Sequence, residues 1–296
     1  MTRRPDQPGA PHGAVLALAG ACLWGTTGTS QALLAGSPSP VAVGALRAGI
    51  AAIALLLVAV TTNRSGWVRT PTRHSTGWLV LAGLGVALYQ LAFFAAVQQT
   101  GVGVGTLVTL ACAPVSAGLL GWGLGGPRPT RRWALATLVA LAGAAVLVTS
   151  AGTAHPINPL GIGLAIAAGC SFGGYTVAGH RVAQAGATGL NATAWIFAIA
   201  GLTLLHPLLG QDLGFVAQPR NLLVLGWLGL VATALAYLLY QRGMGSIDAA
   251  TAATLALAEP LVANLLAVFA LGEPFSWLMG VGVALVIAGL GLLSRA

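Results

Sequence analysis

Two ionisable residues stand inside apolar runs long enough to cross a bilayer, which takes about 20 residues. Glu259 lies in the run 250–271, directly before Pro260, and Arg47 lies in the run 40–60. A charge at membrane depth is expensive, so such residues normally face the protein interior or a watery cavity. Each residue is therefore a candidate for a substrate, proton or gate site. A structural ion pair, or a cap by Glu259 on the carbonyls that Pro260 leaves free, explains them equally well.

Helix one carries an aromatic residue and two polar residues at a spacing that places them on one face of the helix. Trp24, Thr27 and Gln31 follow the i, i+3 and i+7 pattern, which brings them to the same side of a helix. An indole beside a hydroxyl and an amide at mid-membrane depth suits the wall of a cavity, although Trp24 alone would also fit simple packing.

Aromatic and polar side chains recur at mid-span in several other apolar runs, one of which also carries Phe93. Their concentration predicts one central pocket for a small molecule. The predicted substrate-binding residues are Trp24, Thr27, Gln31, Tyr89, Gln90, Phe94, Ser171, Tyr175, Trp195, Tyr237 and Gln241, with Arg47 and Glu259 as gate or coupling residues.

An enzymatic function is a remote alternative. Residues 169–173 read G-x-S-x-G, but that motif needs a strained turn between a strand and a helix, and here it lies in an apolar run. A nucleophile also needs a nearby base, whereas His155, His180 and His206 stand near the ends of runs. With no clustered acids or nucleotide-binding loop, the sequence predicts no catalytic residue, metal or cofactor.

Composition identifies an integral membrane protein. Only 6% of the 296 residues are charged and the mean hydropathy is +0.88, against about 25% charged residues in typical globular chains. The net charge of +8 comes from arginines in the predicted loops, so it indicates membrane topology and not nucleic-acid binding. The three cysteines lie in apolar runs and predict no disulfide.

We predict an all-α membrane protein of ten transmembrane helices. The spans are 13–35, 40–60, 77–97, 101–123, 133–151, 159–180, 189–209, 221–241, 250–271 and 275–293, with a tight hairpin between the third and fourth. Residues 1–12 form a polar N-terminal tail, and helix one is expected to be retained instead of being removed as a signal peptide.

Arginine placement predicts that both termini are cytoplasmic. With the N-terminus inside, eleven arginines fall on the inner side, against Arg220 alone on the outer side. The inner set is Arg3, Arg4, Arg64, Arg69, Arg73, Arg128, Arg131, Arg132, Arg181, Arg242 and Arg295.

The chain reads as two homologous halves, 13–151 and 159–293. When Pro114 is aligned with Pro260, Gly126 falls on Gly272 and Gly143 on Gly289 without a gap. Five spans per half is an odd number, so the second half must run through the membrane in the opposite sense. Inverted repeats of this kind are a common construction of secondary transporters.

The second half resembles the end of an EamA-type repeat of the drug/metabolite transporter superfamily. The resemblance rests on Glu259-Pro260, on Leu271-Gly272-Glu273-Pro274 and on the Gly/Ala-rich last helix. The first half adds Leu23-Trp24-Gly25 and Leu46-Arg47-Ala48, and departs from the pattern where Gly125-Gly126-Pro127-Arg128 replaces the usual Leu-Gly-Glu turn.

The resemblance implies an inner-membrane secondary transporter in the lipid bilayer. Its expected partner is a small-molecule substrate, with export of an amino acid or related compound by alternating access and with protons as a candidate coupling ion. A multidrug exporter and a metabolite importer are the alternatives within transport. Substrate identity, direction and oligomeric state are left open by the sequence.

Overall fold

The protein is described by a computed structural model that covers residues 10–63, 73–150, 158–187, 189–272 and 274–293. Several predictions concern residues outside this description: most of the tail 1–12, the inner residues Arg3, Arg4, Arg64, Arg69 and Arg295, and Glu273 of the final turn.

Every regular element in the described ranges is helical. In chain order these are α1 Ala10–Trp24, α2 Thr26–Ala32, α3 Pro40–Thr62, α4 Arg73–Gly123, α5 Arg131–Ser150, α6 Pro159–Gln184, α7 Leu190–Leu208, α8 Pro219–Gly226, α9 Ala236–Gly243, α10 Ala249–Leu255, α11 Ala258–Leu271 and α12 Trp277–Leu293. A short 3₁₀ turn, Gly214–Ala217, precedes α8, and a π-helical segment, Trp227–Leu235, joins α8 to α9.

Helix starts follow local capping chemistry. Ser39 Oγ accepts the Ala42 N–H at 3.1 Å and Pro40 occupies the first turn of α3. Asn158 caps α6 in the same way ahead of Pro159, and Asp248 accepts the Thr251 N–H at 2.9 Å at the start of α10. The side-chain oxygen accepts a hydrogen bond from one backbone N–H that has no partner within the helix, and a proline in the first turn has no N–H that would need one.

The protein is a multi-pass membrane protein. Within the described ranges, seven helical stretches are long and apolar enough to cross a bilayer, and α12 is a shorter apolar helix. Large apolar side chains such as Leu202, Phe269 and Trp277 are exposed on the outside of the bundle. A helix satisfies its own backbone hydrogen bonds, so such surfaces are compatible with lipid.

The long helix α4 reverses direction at Gly101. This residue has φ 78° and ψ 163°, which few residues other than glycine adopt. A Cβ built on Gly105 would lie 3.3 Å from the Val97 N atom, so the chain folds back on itself there. The reversal follows directly after residues 98–100, where the sequence predicted a hairpin.

Two apolar segments are interrupted at mid-length, and their interruptions touch. The α1–α2 boundary is Gly25, and α10 ends before the tight turns at Ala256 and Leu257. Pro260 has no N–H, and the Ala256 carbonyl accepts the Glu259 N–H at 3.0 Å instead. A Cβ on Gly25 would lie 2.8 Å from the Glu259 carbonyl oxygen, so the two breaks cross in contact.

Hydrogen bonds between connections define the two ends of the bundle. At the Ser37 end, Asn221 Oδ1 accepts the Ala35 N–H at 2.9 Å, which ties the connection 33–39 to the start of α8. At the Thr130 end, Arg181 donates to the Leu124 carbonyl, and His180 Nδ1 lies 2.9 Å from the Met244 carbonyl oxygen. The C-terminus of α6 thereby joins the connections 124–130 and 244–248.

Helices α5 and α12 pack closely and antiparallel through reciprocal glycine contacts. A Cβ on Gly143 would lie 2.6 Å from the Val286 N atom. A Cβ on Gly289 would lie 2.5 Å from the Ala140 N atom, and Gly143 and Gly289 are the residues aligned between the halves. Small residues at these crossings allow backbones to approach, and the resulting close packing favours helix association in lipid.

Candidate functional site

A cavity lies where the interrupted helices cross, and it extends toward the Ser37 end. Its position follows from Gln31, which lies in the last turn of α2, and from Arg47 in the second turn of α3. In this conformation its volume of ≈ 60 Å³ has room for roughly four water molecules. The lining residues are Trp24, Thr27, Gln31, Arg47, Tyr89, Gln90, Phe93, Phe94, Phe172, Tyr237 and Glu259.

Arg47 is held in one orientation by an amide. Its Nε and Nη2 atoms donate to Gln90 Oε1 at 3.1 and 2.7 Å, and Gln90 Nε2 donates to the Gly44 carbonyl at 3.4 Å. Gln90 is buried, so this arrangement fixes the guanidinium without neutralising it. A neutral partner leaves the positive charge available to an anion in the cavity.

Glu259 contributes a carboxyl group to the same cavity from a different wall. It lies in the first turn of α11, which packs on α1 and α2, whereas α3 packs on α7 and on the π-helical segment. No ion pair joins Glu259 to Arg47 in the described part of the chain, where Gln90 takes the hydrogen bonds of the guanidinium. Both side chains are only half-buried, which leaves their charged groups open to the cavity.

Aromatic rings form the rest of the wall and close it toward the Thr130 end. Trp24 contacts Phe172 edge-on at 5.8 Å between ring centroids and Tyr237 at 4.8 Å. Tyr89 contacts Phe172 at 5.4 Å. Behind them Tyr240 lies 4.9 Å from Trp24 and has no solvent exposure. Such rings offer apolar contact and also a favourable face for a cation.

The aromatic wall is built from corresponding residues of the two halves. Trp24 is separated from Phe172 by the same number of residues as Tyr89 is from Tyr237. The glycines that follow Trp24 and Phe172 also have matching surroundings: a Cβ on Gly25 would lie 2.8 Å from the Glu259 carbonyl, and one on Gly173 would lie 2.8 Å from the Ala113 carbonyl. Glu259 and Ala113 are the residues that precede the aligned prolines.

Nine of the thirteen predicted site residues line this cavity, and four do not. Tyr175 is sealed behind Phe172 and Tyr237, with ring centroids at 5.7 and 5.6 Å. Gln241 Nε2 donates to the Gly179 carbonyl at 2.9 Å, between α9 and α6. The remaining two are Ser171, whose carbonyl faces Gly85 of α4, and Trp195, which packs against the central core.

Phe172 is the lining residue that the sequence reasoning missed. The predicted site residues of this helix were its polar neighbours Ser171 and Tyr175, and Phe172 between them carries no polar group of its own. Its alignment with Trp24 across the two halves was the available signal, because both precede a glycine in a mid-span position.

The G-x-S-x-G segment serves helix packing in this structure. It lies within the continuous helix α6. A Cβ on Gly169 would lie 2.6 Å from the Thr109 carbonyl oxygen, and one on Gly173 would lie 2.8 Å from the Ala117 N atom, so both glycines face α4. The described residues also contain no group of three or more His, Cys, Asp or Glu side chains placed to hold a metal ion.

Comparisons with known proteins agree on a family. Residues 11–149 and 159–295 each match the EamA-like transporter family. A Bacillus subtilis (strain 168) protein, described as the uncharacterized transporter YwfM, is 39% identical over 287 residues, which cover 94% of this chain and 92% of that protein. A Salmonella typhimurium (strain LT2) protein, described as the uncharacterized inner membrane transporter YicL, is 26% identical over 221 residues, covering 73% and 72% of the two chains.

A solved structure shares the fold. A protein known from its crystal structure, with 22% sequence identity, superposes with a TM-score of 0.79 over 96% of this chain and 97% of its own. At that level of identity the match describes the architecture alone.

Proposed function

The chain belongs to the EamA-like transporter family, and from that premise we propose that it is an inner-membrane secondary transporter. It moves a small metabolite by alternating access, and export of an amino acid or related compound is its expected role. The observation that carries the proposal is the cavity at the crossing of two interrupted helices. Discontinuous helices at mid-membrane are where secondary transporters bind substrate.

Ten membrane crossings in two inverted halves, 13–151 and 159–293, account best for the packing. The reciprocal contacts of Gly143 and Gly289 support a two-fold axis perpendicular to α5 and α12, because antiparallel helices can be exchanged only by such an axis. The matching surroundings of Gly25 and Gly173 support the same axis at the cavity. Both termini are then cytoplasmic, the Ser37 end is outside, and the Thr130 end is inside.

The described conformation represents one access state. The cavity extends toward the Ser37 end, and the aromatic layer of Trp24, Tyr237 and Tyr240 closes it on the other side. A transporter of this kind must also open toward the Thr130 end while closing the Ser37 end.

The paired charges favour a small zwitterion as the substrate. Arg47 offers a cation to a carboxylate, and Glu259 offers an anion to an ammonium group. The two protein charges cancel, so a neutral zwitterion keeps the loaded site neutral, and this lowers the cost of occluding it in the membrane. The small cavity volume disfavours a bulky drug, the alternative substrate for an exporter.

Glu259 is proposed to act as a substrate-binding and gate residue. It lies at the contact between the two interrupted helices, so binding of substrate to Glu259 can affect the positions of both helices. Protons remain a candidate coupling ion, but Glu259 is accompanied by no second acid and no histidine among the described residues that line the cavity, which disfavours a proton pathway through it. Glu259→Gln tests this role: if the carboxylate binds the substrate ammonium, exchange of substrate itself should weaken. If Glu259 served proton coupling alone, exchange should persist and only uptake driven by a pH gradient should be lost.

Counterflow in proteoliposomes tests the proposed function. Purified protein is reconstituted with an excess of unlabelled L-alanine inside, and uptake of labelled L-alanine, L-alaninamide and propionate is followed. The proposal predicts counterflow of the zwitterion and not of the two compounds that lack one charge. Chemical conversion of the label without accumulation would indicate an intramembrane enzyme, and equal uptake of all three would contradict the zwitterion assignment.

The direction of transport needs a separate comparison. Vesicles that contain the protein in one or the other orientation are loaded with substrate, and substrate release is measured with and without an ion gradient. The comparison shows whether gradient-dependent release occurs from the Thr130 side or from the Ser37 side. Net efflux from the cytoplasmic side supports an exporter, and net uptake supports the importer alternative.

A further inference from the structure

Residues of the two halves can be matched one by one around the cavity. The spacing that relates Trp24 to Phe172 in the first span of each half also relates Tyr89 to Tyr237 in the third span. At this spacing Thr27 corresponds to Tyr175, Arg47 to Trp195, and Phe93 to Gln241.

The two matched sets lie in opposite environments. Thr27, Arg47 and Phe93 line the cavity that extends toward the Ser37 end. Their counterparts lie on the side of the Thr130 end: Gln241 is two residues from the end of α9, and Trp195 is in the second turn of α7. Tyr175 and Gln241 are buried, and Trp195 packs against the core.

We infer that Tyr175, Trp195 and Gln241 line a second vestibule, through which the same small zwitterion leaves or enters at the Thr130 end. The inference rests on the proposed function, because it applies the exchange of two inverted halves to this chain. It also explains why these three residues carry cavity-like chemistry while they lie outside the present cavity.

Unsatisfied polar atoms support an opening at this end. Gln241 Oε1 and Ser246 Oγ are buried without a hydrogen-bond partner in the described structure. Native proteins seldom leave such atoms orphaned, because each forfeits its interaction with water. An open vestibule at the Thr130 end would expose both atoms to water.

The closure at this end depends on glycines. A Cβ on Gly179 would lie 2.7 Å from both Gln241 Oε1 and Met244 Cε, and a Cβ on Gly20 would lie 2.6 Å from the Ala236 carbonyl oxygen. A leucine at Gly179 can be accommodated only if the buried side chains of Gln241 and Met244 are displaced or α6 and α9 move apart, whereas the contact of Gly20 is with backbone and cannot be relieved by a side-chain rotation. By contrast, a Cβ on Gly174, on the same helix, meets no atom within 4 Å.

The second vestibule is also chemically distinct from the first. Trp195 takes the place of Arg47 and Leu238 that of Gln90, so no cation corresponds to the one that holds a carboxylate on the Ser37 side. Substrate held by Arg47 is thus expected to pass Trp195 without an equivalent anchor.

Reactivity of single cysteines tests the inference without any ligand. In a background with Cys22, Cys112 and Cys170 replaced by alanine, either Gln31→Cys or Trp195→Cys is introduced and the protein is placed in lipid nanodiscs. The rate of modification by a charged methanethiosulfonate reagent is measured with and without Gly179→Leu. We expect Gly179→Leu to accelerate modification at Trp195→Cys by about fivefold or more and to slow modification at Gln31→Cys.

Gly174→Leu is the matched control and should change neither rate. If Gly179→Leu fails to insert or purify, Gly20→Ala separates α1 from α9 at the same end and should shift the two rates in the same opposite directions. An unreactive Trp195→Cys in both variants, or parallel acceleration of both reporters, overturns the inference. Counterflow by the unmodified protein is measured separately, so either result leaves the proposed function standing.

Discussion

Replacing Gly25 by alanine tests whether the crossing of the interrupted helices is as close as described. The new Cβ would lie 2.6 Å from Val262 Cβ and 2.8 Å from the Glu259 carbonyl oxygen. Both atoms are fixed to the backbone of α11 and cannot rotate away. The methyl group can therefore be accommodated only if α2 and α11 move apart by several tenths of an ångström.

The expected loss of stability follows from two opposing terms. Overpacking at a rigid contact raises the free energy of the folded state by about 1–3 kcal/mol. Alanine in place of glycine within a helix lowers the free energy of the folded state by about 1 kcal/mol, through its higher helix propensity. A net destabilisation of about 0–2 kcal/mol should lower the melting temperature by up to roughly 8 °C, at about 2–4 °C per kcal/mol.

Gly28→Ala, three residues later within α2, provides the matched control. Its Cβ would meet no atom within 4 Å, so only the helix-propensity gain remains. Thermal melting of both variants in the same detergent and at the same heating rate is the assay. A melting temperature for Gly25→Ala equal to or above that for Gly28→Ala would refute the close crossing on which the site depends.

Three further predictions concern stability and topology. Asn221→Ala removes three hydrogen bonds that tie the connections of the Ser37 end together, and should lower the free energy of unfolding by about 2–3 kcal/mol; unchanged melting would contradict this role. Gly143→Leu should destabilise the α5–α12 contact strongly, whereas Gly163→Leu, which meets open space, should not; equal melting temperatures would rule out the reciprocal packing. Of two exposed single cysteines, Ser37→Cys should react with an impermeant thiol reagent on intact cells and Thr130→Cys only after the cells are opened; the reverse order would invert the topology.

Much of the architecture is encoded locally and could be predicted from the sequence. Apolar runs of membrane-spanning length set the helices, and short polar residues before proline, such as Ser39-Pro40 and Asn158-Pro159, set where helices begin. The turn after residues 98–100 could also be predicted, because these polar residues separate two apolar runs. The residue that makes the turn possible is Gly101.

The interruptions of the helices depend on tertiary contacts and could not be located in this way. Gly25 is one of many glycines in helical segments, and only the Val262 side chain and the Glu259 carbonyl on another helix distinguish it. The π-helical segment Trp227–Leu235 carries no local marker either; it is stabilised in part by the Thr233 hydroxyl, which donates to the Leu228 carbonyl at 2.7 Å.

For the site, the sequence indicated residue types and helix faces but not the conformation. Trp24, Thr27 and Gln31 share a face, and all three line the cavity. Tyr175 and Gln241 share the same chemistry but are buried outside this cavity. A helix face alone cannot distinguish the two ends of a pseudo-symmetric bundle.

The central claim is that substrate passes through the cavity lined by Trp24, Arg47 and Glu259. Counterflow of L-alanine by cysteine-free protein carrying Thr27→Cys, before and after reaction with a bulky maleimide, tests it most directly. The neighbouring variant Gly28→Cys, whose side chain would face open space, is the control. The account predicts that modification at position 27 abolishes counterflow while modification at position 28 leaves it intact. Undiminished counterflow by fully modified Thr27→Cys protein would contradict the claim.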